Sequence, residues 1–215
     1  WGYEAIGRFQ NWEQIANYPI DNDRKGNRTV VPGDIMYKDQ NNDGVINYLD
    51  ERPIGYRVDS TPTLNFGINL SASWKGFDLA MDWTGSGMTS WNQCYETARP
   101  FQNDGNSPDE VLKDAWHLSD IWDANSPLIP GKYPMIRLNT DETSAYDKSS
   151  YWLHNVTYLK LRNLEVGYTF PKTWLNKTGI SNLRLFVSGT NLLTLSNLSV
   201  MDPECASDNG LDYPP

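Results

Sequence analysis

Between Leu64 and Thr84 the chain alternates with a period of two, which most constrains its fold. Leu64, Phe66, Ile68, Leu70, Ala72 and Trp74 fall on one side of an extended backbone, and Asn65, Gly67, Asn69, Ser71 and Ser73 on the other. Lys75 and Gly76 supply a tight turn, and Phe77, Leu79, Met81 and Trp83 then alternate with Asp78, Ala80, Asp82 and Thr84. Successive side chains of a strand point to opposite faces, so each run presents one apolar and one small or polar face. Roughly ten residues of such alternation, with aromatics at the ends, is the pattern of a strand that crosses an outer membrane as part of a β-barrel.

Two later stretches read the same way. Over residues 157–170 one face is Tyr158, Lys160, Arg162, Leu164, Val166, Tyr168 and Phe170; the other is Leu159, Leu161, Asn163, Glu165, Gly167 and Thr169. Over residues 182–193 Leu183, Leu185 and Val187 mark the apolar side. The expected fold class is therefore all-β: an antiparallel transmembrane β-barrel fragment of about four strands with long extracellular loops. Residues 1–62 and 86–151 form extracellular loops, 63–85 a barrel hairpin, and 152–193 a strand pair with a periplasmic turn at 171–181. Residues 194–215 form another extracellular loop. Barrels keep short turns on the periplasmic side. That order puts Lys160 and Arg162 at the outer leaflet, within reach of lipid phosphates, and Trp74, Phe77, Tyr168 and Phe170 in the periplasmic girdle. Four strands cannot close a barrel, so the chain reads as part of something larger. The competing reading is a soluble β-sandwich, whose strands also alternate.

Bulk properties narrow the class. The 215 residues are 39% hydrophobic, and no run of about 18 apolar residues exists, which excludes a transmembrane helix but not barrel strands. A net charge of −9 without a basic cluster argues against nucleic acid. No signal peptide opens the chain. Cys94 and Cys205 fit no metal spacing; they form a long-range disulfide or remain two unrelated thiols. Two short helices are expected: one capped by Asn11 with Gln14 completing the box, running to about Tyr18, and one begun by Ser107 and Pro108, running to about His117.

Residues 39–50 have calcium-loop spacing. Asp39, Asn41 and Asp43 put side-chain oxygens at the first, third and fifth positions, Gly44 permits the sharp turn, Val45 offers its carbonyl, Asn47 stands ninth and Asp50 twelfth. Hard oxygen donors suit calcium in a structural role. Ile46 would anchor the loop in a core. The competing reading is an Asn/Asp-rich turn that binds nothing. A single such loop also raises a secreted calcium-binding module for glycan recognition or adhesion, but dockerin-type modules carry two. The aromatic loop holds Trp91, Tyr95, Phe101, Trp116, Trp122, Tyr133 and Trp152. Aromatic rings stack on sugars, so Trp91 and Trp122 are candidate substrate contacts, against internal packing or contact with a partner. Catalysis has little support: His117, Asp120 and Asp123 are the one His–acid cluster, with no nucleophile motif beside it.

Several stretches resemble the C-terminal portion of SusC/RagA-type TonB-linked outer-membrane proteins: GDIMYKDQNNDGVIN (33–47), SWKGFDLAMDWTGS (73–86), SSYWLHNVTYLKLRNLEVGYTFP (149–171), and ISNLRLFVSGTNLLTLS (180–196) with DPE (202–204). The Trp122 and Asn125 pair followed by KYPMIRL (132–138) matches the loop ahead of the third strand. The resemblance implies a plugged barrel in the outer membrane of a Gram-negative bacterium, loops facing outward, importing glycan or peptide fragments. A SusD-like lipoprotein lid, and TonB acting through an N-terminal region absent here, are the partners it implies, with outer-membrane lipid around the wall.

Overall fold

The alternating segments become long strands, and the first thing that positions everything else is their hydrogen-bonded order. The computed structural model describes residues 1–58, 62–138, 143–176, 179–198 and 201–204. In chain order its elements are β1 (Ala5–Arg8), α1 (Trp12–Ala16), β2 (Ile35–Tyr37), β3 (Leu64–Trp74), β4 (Phe77–Asn92), α2 (Asp109–Lys113), β5 (His117–Leu118), β6 (Leu128–Ile129), β7 (Leu153–Thr169), α3 (Lys172–Leu175) and β8 (Arg184–Ser196). They fall into two compact units, one from the described parts of residues 1–60 and 90–154, the other from 61–89 and 155–204. Among the described residues no helix is long and apolar enough to cross a membrane.

The second unit is a sheet in the order β3-β4-β7-β8. β3 and β4 pair antiparallel from Leu64↔Gly87 to Trp74↔Phe77 without a shift. Their turn holds φ at 50° for Lys75 and 91° for Gly76, the left-handed pair that matches strand twist. The apolar row stays open: Leu64, Phe66, Ile68, Leu70, Trp74 and Phe77 are 42–68% exposed. Phe77 packs on Tyr168 with ring centroids 4.6 Å apart, which joins the apolar rows of β4 and β7.

A bulge breaks the parity of the later strands. β7 pairs β8 from Tyr158↔Ser196 to Leu161↔Leu193, then resumes at Asn163↔Thr190 and runs to Thr169↔Arg184. Asn191 takes a left-handed φ of 53° at the break. Across the break one residue of β7, Arg162, stands opposite two of β8, Asn191 and Leu192, so the extra residue lies in β8 and moves that strand's side chains beyond it to the other face. Arg162 Nε reaches Thr84 Oγ1 at 3.0 Å and its neighbour Asn163 reaches the Asp82 carboxylate at 3.2 Å, so two consecutive residues share the polar side of β4. Lys160 and Arg162 therefore lie with the polar residues, and Leu159 and Leu161 continue the apolar face. This corrects the expectation that the two cations meet lipid phosphates: strict alternation holds only up to the bulge.

The first unit packs Ile35, Tyr37, Ile46, Val111, Tyr133 and Trp152 into one core. β1 pairs antiparallel with β2, and β5 with β6. Arg8 staples distant loops: its guanidinium lies between the Trp116 and Tyr151 rings, 5.6 and 5.4 Å from their centroids, and donates to the carbonyls of Gly33 (2.6 Å) and Gly131 (3.3 Å). Asn11 caps α1 by accepting from the Gln14 N–H, while Gln14 reaches back to the Gln10 N–H instead of that of Asn11. Pro108 takes the N-cap position of α2 in place of the expected Ser107, with no side-chain capping bond, and the helix stops at Lys113, short of the expected end near His117. The Asp114 carbonyl accepts from Tyr133 and the Trp116 N–H donates to the Tyr133 carbonyl, so this segment pairs across the chain instead of continuing the helix. β4 likewise runs past residue 85 to Asn92, taking Trp91 into a strand.

Candidate functional site

The loop at residues 39–50 is built from turns closed by its own side chains. Asp39 accepts from the N–H groups of Asn42 (2.6 Å) and Gly44 (2.8 Å), Asn41 from that of Asp43 (3.0 Å), and Asp43 from that of Val45 (2.9 Å). Gly44 sits at φ 84°, as its position demands. The Asn41 amide donates to the exposed Asp43 carboxylate at 2.8 Å, holding it below the usual carboxylate range. Ile46 is fully buried, and a parallel bridge ties Val45 to Asp21. Asp50 faces inward: its oxygens accept from Gln40 (2.8 Å) and Asn47 (2.8 Å), closing the loop as a cap. Asn47 accepts from Leu49 (2.9 Å), and its amide donates to the Val45 carbonyl (3.1 Å). The donor set is thus all oxygen, as calcium needs, with Asp39, Asn41 and Asp43 in preformed turns. Among the described residues no three His, Cys, Asp or Glu side chains already converge into a metal cage.

The aromatic candidates separate sharply. Trp91 is 2% exposed and stacks on His154, centroids 5.6 Å apart. Trp122 is 90% exposed at the tip between β5 and β6. That tip is tightly laced: the Trp122 N–H donates to Asp120 (2.9 Å), the Asn125 N–H to Asp123 (2.9 Å), and the Ser126 hydroxyl to the Asp120 carbonyl (2.9 Å). Asp120 and Asp123 are therefore turn-formers, and His117 Nδ1 lies 2.9 Å from the Ala115 carbonyl. Trp116, Tyr133 and Trp152 are core, while Tyr95 and Phe101 are 46% and 42% exposed. Cys205 lies outside the described residues, and with it the question of a bond to Cys94.

No protein-family model matches the chain. It is 30% identical to TonB-dependent receptor P3 of Formosa agariphila, over 98% of this chain and 21% of that receptor. TonB-dependent receptor P26 of the same organism is 26% identical over 94% of this chain and 19% of its own length. The fold superposes on a chain of the RagAB peptide transporter with a TM-score of 0.58 and 21% identity, covering 97% of this chain and 20% of that one. This chain is related to SusC/RagA-type TonB-dependent receptors. It spans about a fifth of the length of the curated receptors it matches.

One feature of this receptor fragment has no signal at short sequence range. Residues 201–204 follow β8 and return onto the polar side of the sheet. Lys160 Nζ lies 2.9 Å from Glu204 and 3.2 Å from Asp202, and Arg162 pairs with Glu204. The Lys160 and Glu204 side chains are 7% and 4% exposed. Below the bulge, Arg184 pairs with Asp78 and with Glu165, about one third exposed. The polar face of this receptor sheet is thus a field of matched charges. In the loop unit, Asp34 is buried against Arg137, and burial pushes its carboxyl up to about 6 despite that cation. None of these pairs could be found by local spacing, because their partners lie 19 to 106 residues apart.

Proposed function

We propose that this chain forms barrel wall and surface loops of a TonB-dependent importer in the outer membrane of a Gram-negative bacterium, taking up glycan or oligopeptide fragments. In this reading a SusD-like lipoprotein covers the loops, ligand is held between loops and lid, and TonB displaces a plug through an N-terminal region outside this chain. The observation that carries it is the two-faced sheet. The β3 row is 42–68% exposed and apolar, while the opposite face is ion-paired. An open apolar face this long in water is an aggregation hazard, and hydrocarbon removes the hazard. The test uses the full-length receptor in membranes with Ile68→Cys and Asn69→Cys. A lipid-soluble thiol reagent labels position 68 and spares 69; equal labelling contradicts the reading.

Two residue-level proposals belong to it. Trp122 offers its rings to ligand from a rigid tip, and Trp122→Ala lowers ligand affinity; unchanged affinity dismisses the role. Trp91, stacked and buried, serves packing. The loop at residues 39–50 takes calcium as a structural ion through Asp39, Asn41, Asp43, the Val45 carbonyl and Asn47, with Asp50 closing the loop behind them. Calcium calorimetry on the full receptor shows binding that Asp43→Ala abolishes; no heat from the unsubstituted protein removes the claim.

A further inference from the structure

The hairpin end of the sheet carries a depression of about 350 Å³ around the Lys75-Gly76 turn, between Trp74, Phe77, Asp78 and Thr169. It lies wholly within the sheet unit. β4, whose first residues line it, is paired on both sides by strands of this chain, β3 and β7, so no strand from elsewhere in the receptor enters the site. The Thr169 N–H donates to the Gly76 carbonyl at 2.7 Å, which fastens the turn to β7.

The free charge and the free backbone groups at this turn are all donors. The Lys75 ammonium lies 4.8 Å from the Trp74 ring centroid, which draws it to the apolar side of the sheet, and it meets no carboxylate among the described residues. The exposed N–H groups of Lys75 and Gly76 meet no acceptor among the described residues. The bordering acid is occupied, since both Asp78 oxygens accept from Arg184. Free donors beside a neutralised acid favour an anion. The same place is walled by rings. Trp74 and Phe77 stand exposed, and the ring series runs on from Phe77 to Tyr168 (4.6 Å) and Phe170 (5.0 Å). A free inorganic anion leaves that wall uncovered, whereas an acyl chain attached to the anion covers it.

We infer that this depression binds the headgroup of an anionic phospholipid. Lys75 and the two turn N–H groups take the phosphate as charge-assisted hydrogen bonds, and the acyl chain follows the row that begins with Trp74, Ala72 and Leu70. A zwitterionic headgroup fits less well. Its ammonium needs a free acid or an open ring face, but Asp78 is held by Arg184 and the Trp74 face already carries Lys75. The inference rests on the reading that hydrocarbon covers the apolar row, and it adds a specific lipid contact at one end of that row.

The experiment uses the full-length receptor, stripped of lipid in neutral detergent and titrated with phosphatidylglycerol or phosphatidylethanolamine, with bound lipid counted by native mass spectrometry. Phosphatidylglycerol binds more tightly. Lys75→Asn weakens its tightest binding roughly fivefold, the effect of one cation at a lipid surface, while Lys75→Arg keeps it. Asn-Gly is itself a preferred left-handed turn pair, so Lys75→Asn removes the charge without loosening the hairpin. Equal retention of the two lipids, unchanged binding in Lys75→Asn, or displacement of the lipid by millimolar inorganic phosphate overturns the inference. Cysteine labelling at positions 68 and 69 separates it from the reading beneath it. Equal labelling of both sinks the lipid-facing sheet; selective labelling at 68 without a preference for phosphatidylglycerol sinks the headgroup site alone.

Discussion

Glu204 gives the sharpest test of the bulged sheet. Its carboxylate, 4% exposed, takes Lys160 Nζ at 2.9 Å and also pairs with Arg162. Replacing it with alanine leaves Arg162 without its carboxylate and Lys160 with Asp202 alone, which is 34% exposed and 3.2 Å away. Removing one partner of a buried pair costs about 3–5 kcal/mol when nothing compensates. Asp202 still serves Lys160, and Arg162 keeps access to water, so the loss here is about 2–3 kcal/mol. It falls on the return of residues 201–204 onto the sheet, not on the strands, and it is read as local opening. Leu198, 8% exposed, lies just ahead of that segment. In full-length receptor carrying Leu198→Cys, with Cys94 and Cys205 changed to serine, Glu204→Ala raises maleimide labelling roughly 30- to 150-fold, since 1.4 kcal/mol is a factor of ten. Glu165→Ala is the control. It removes one of two partners of the third-exposed Arg184 and leaves Asp78 in place, so labelling at position 198 stays within about twofold. Had Lys160 and Arg162 faced lipid, as unbroken alternation requires, Glu204 would have no buried cation to hold. An unchanged labelling rate in Glu204→Ala, or an equal rise in Glu165→Ala, refutes the parity change.

Arg137→Ala leaves the fully buried Asp34 without its paired cation, and a loss of about 3–5 kcal/mol is expected from denaturant melting followed by tryptophan fluorescence. Asp34 also sets a pH dependence. Its folded value is raised to about 6 from 3.8, so the native state holds the proton more tightly. The stability it contributes is full below about pH 4 and is lost as pH rises through about 6; Asp34→Asn flattens the slope of melting temperature between those limits, and an unchanged slope assigns it elsewhere. At the first hairpin, Gly76 holds φ 91°, and a Cβ there would lie 2.8 Å from the Thr169 carbonyl oxygen. Gly76→Ala therefore costs about 1–3 kcal/mol and lowers the folded fraction seen as heat-modifiable migration on gels; a full folded yield would show that the turn relaxes freely.

What could be read in advance follows the range of the forces involved. β3 and its turn were legible because alternation and a left-handed Lys75-Gly76 pair are properties of neighbouring residues. Ile46 was legible for the same reason, as the apolar residue that follows the Gly44 turn and anchors the loop in a core. The end of α2 was not, because Tyr133, far along the chain, claims the backbone groups of Asp114 and Trp116. Trp91 and Trp122 look equal in sequence, yet one stacks on His154 and the other stands 90% exposed; only packing decides which ring can meet a ligand. The break in parity at Arg162 and Asn163 is the most instructive case. Each strand alone shows a defensible alternating face, and the error arises only when the two halves of β7 are read as one. The cations at 160 and 162 were themselves a warning, since an apolar row interrupted by Lys and Arg is cheaper to explain by a change of face than by two charges in lipid. A charge that breaks an apolar row in such a strand is thus evidence for a bulge nearby, to be checked against the acidic residues of the following loop, which here are Asp202 and Glu204.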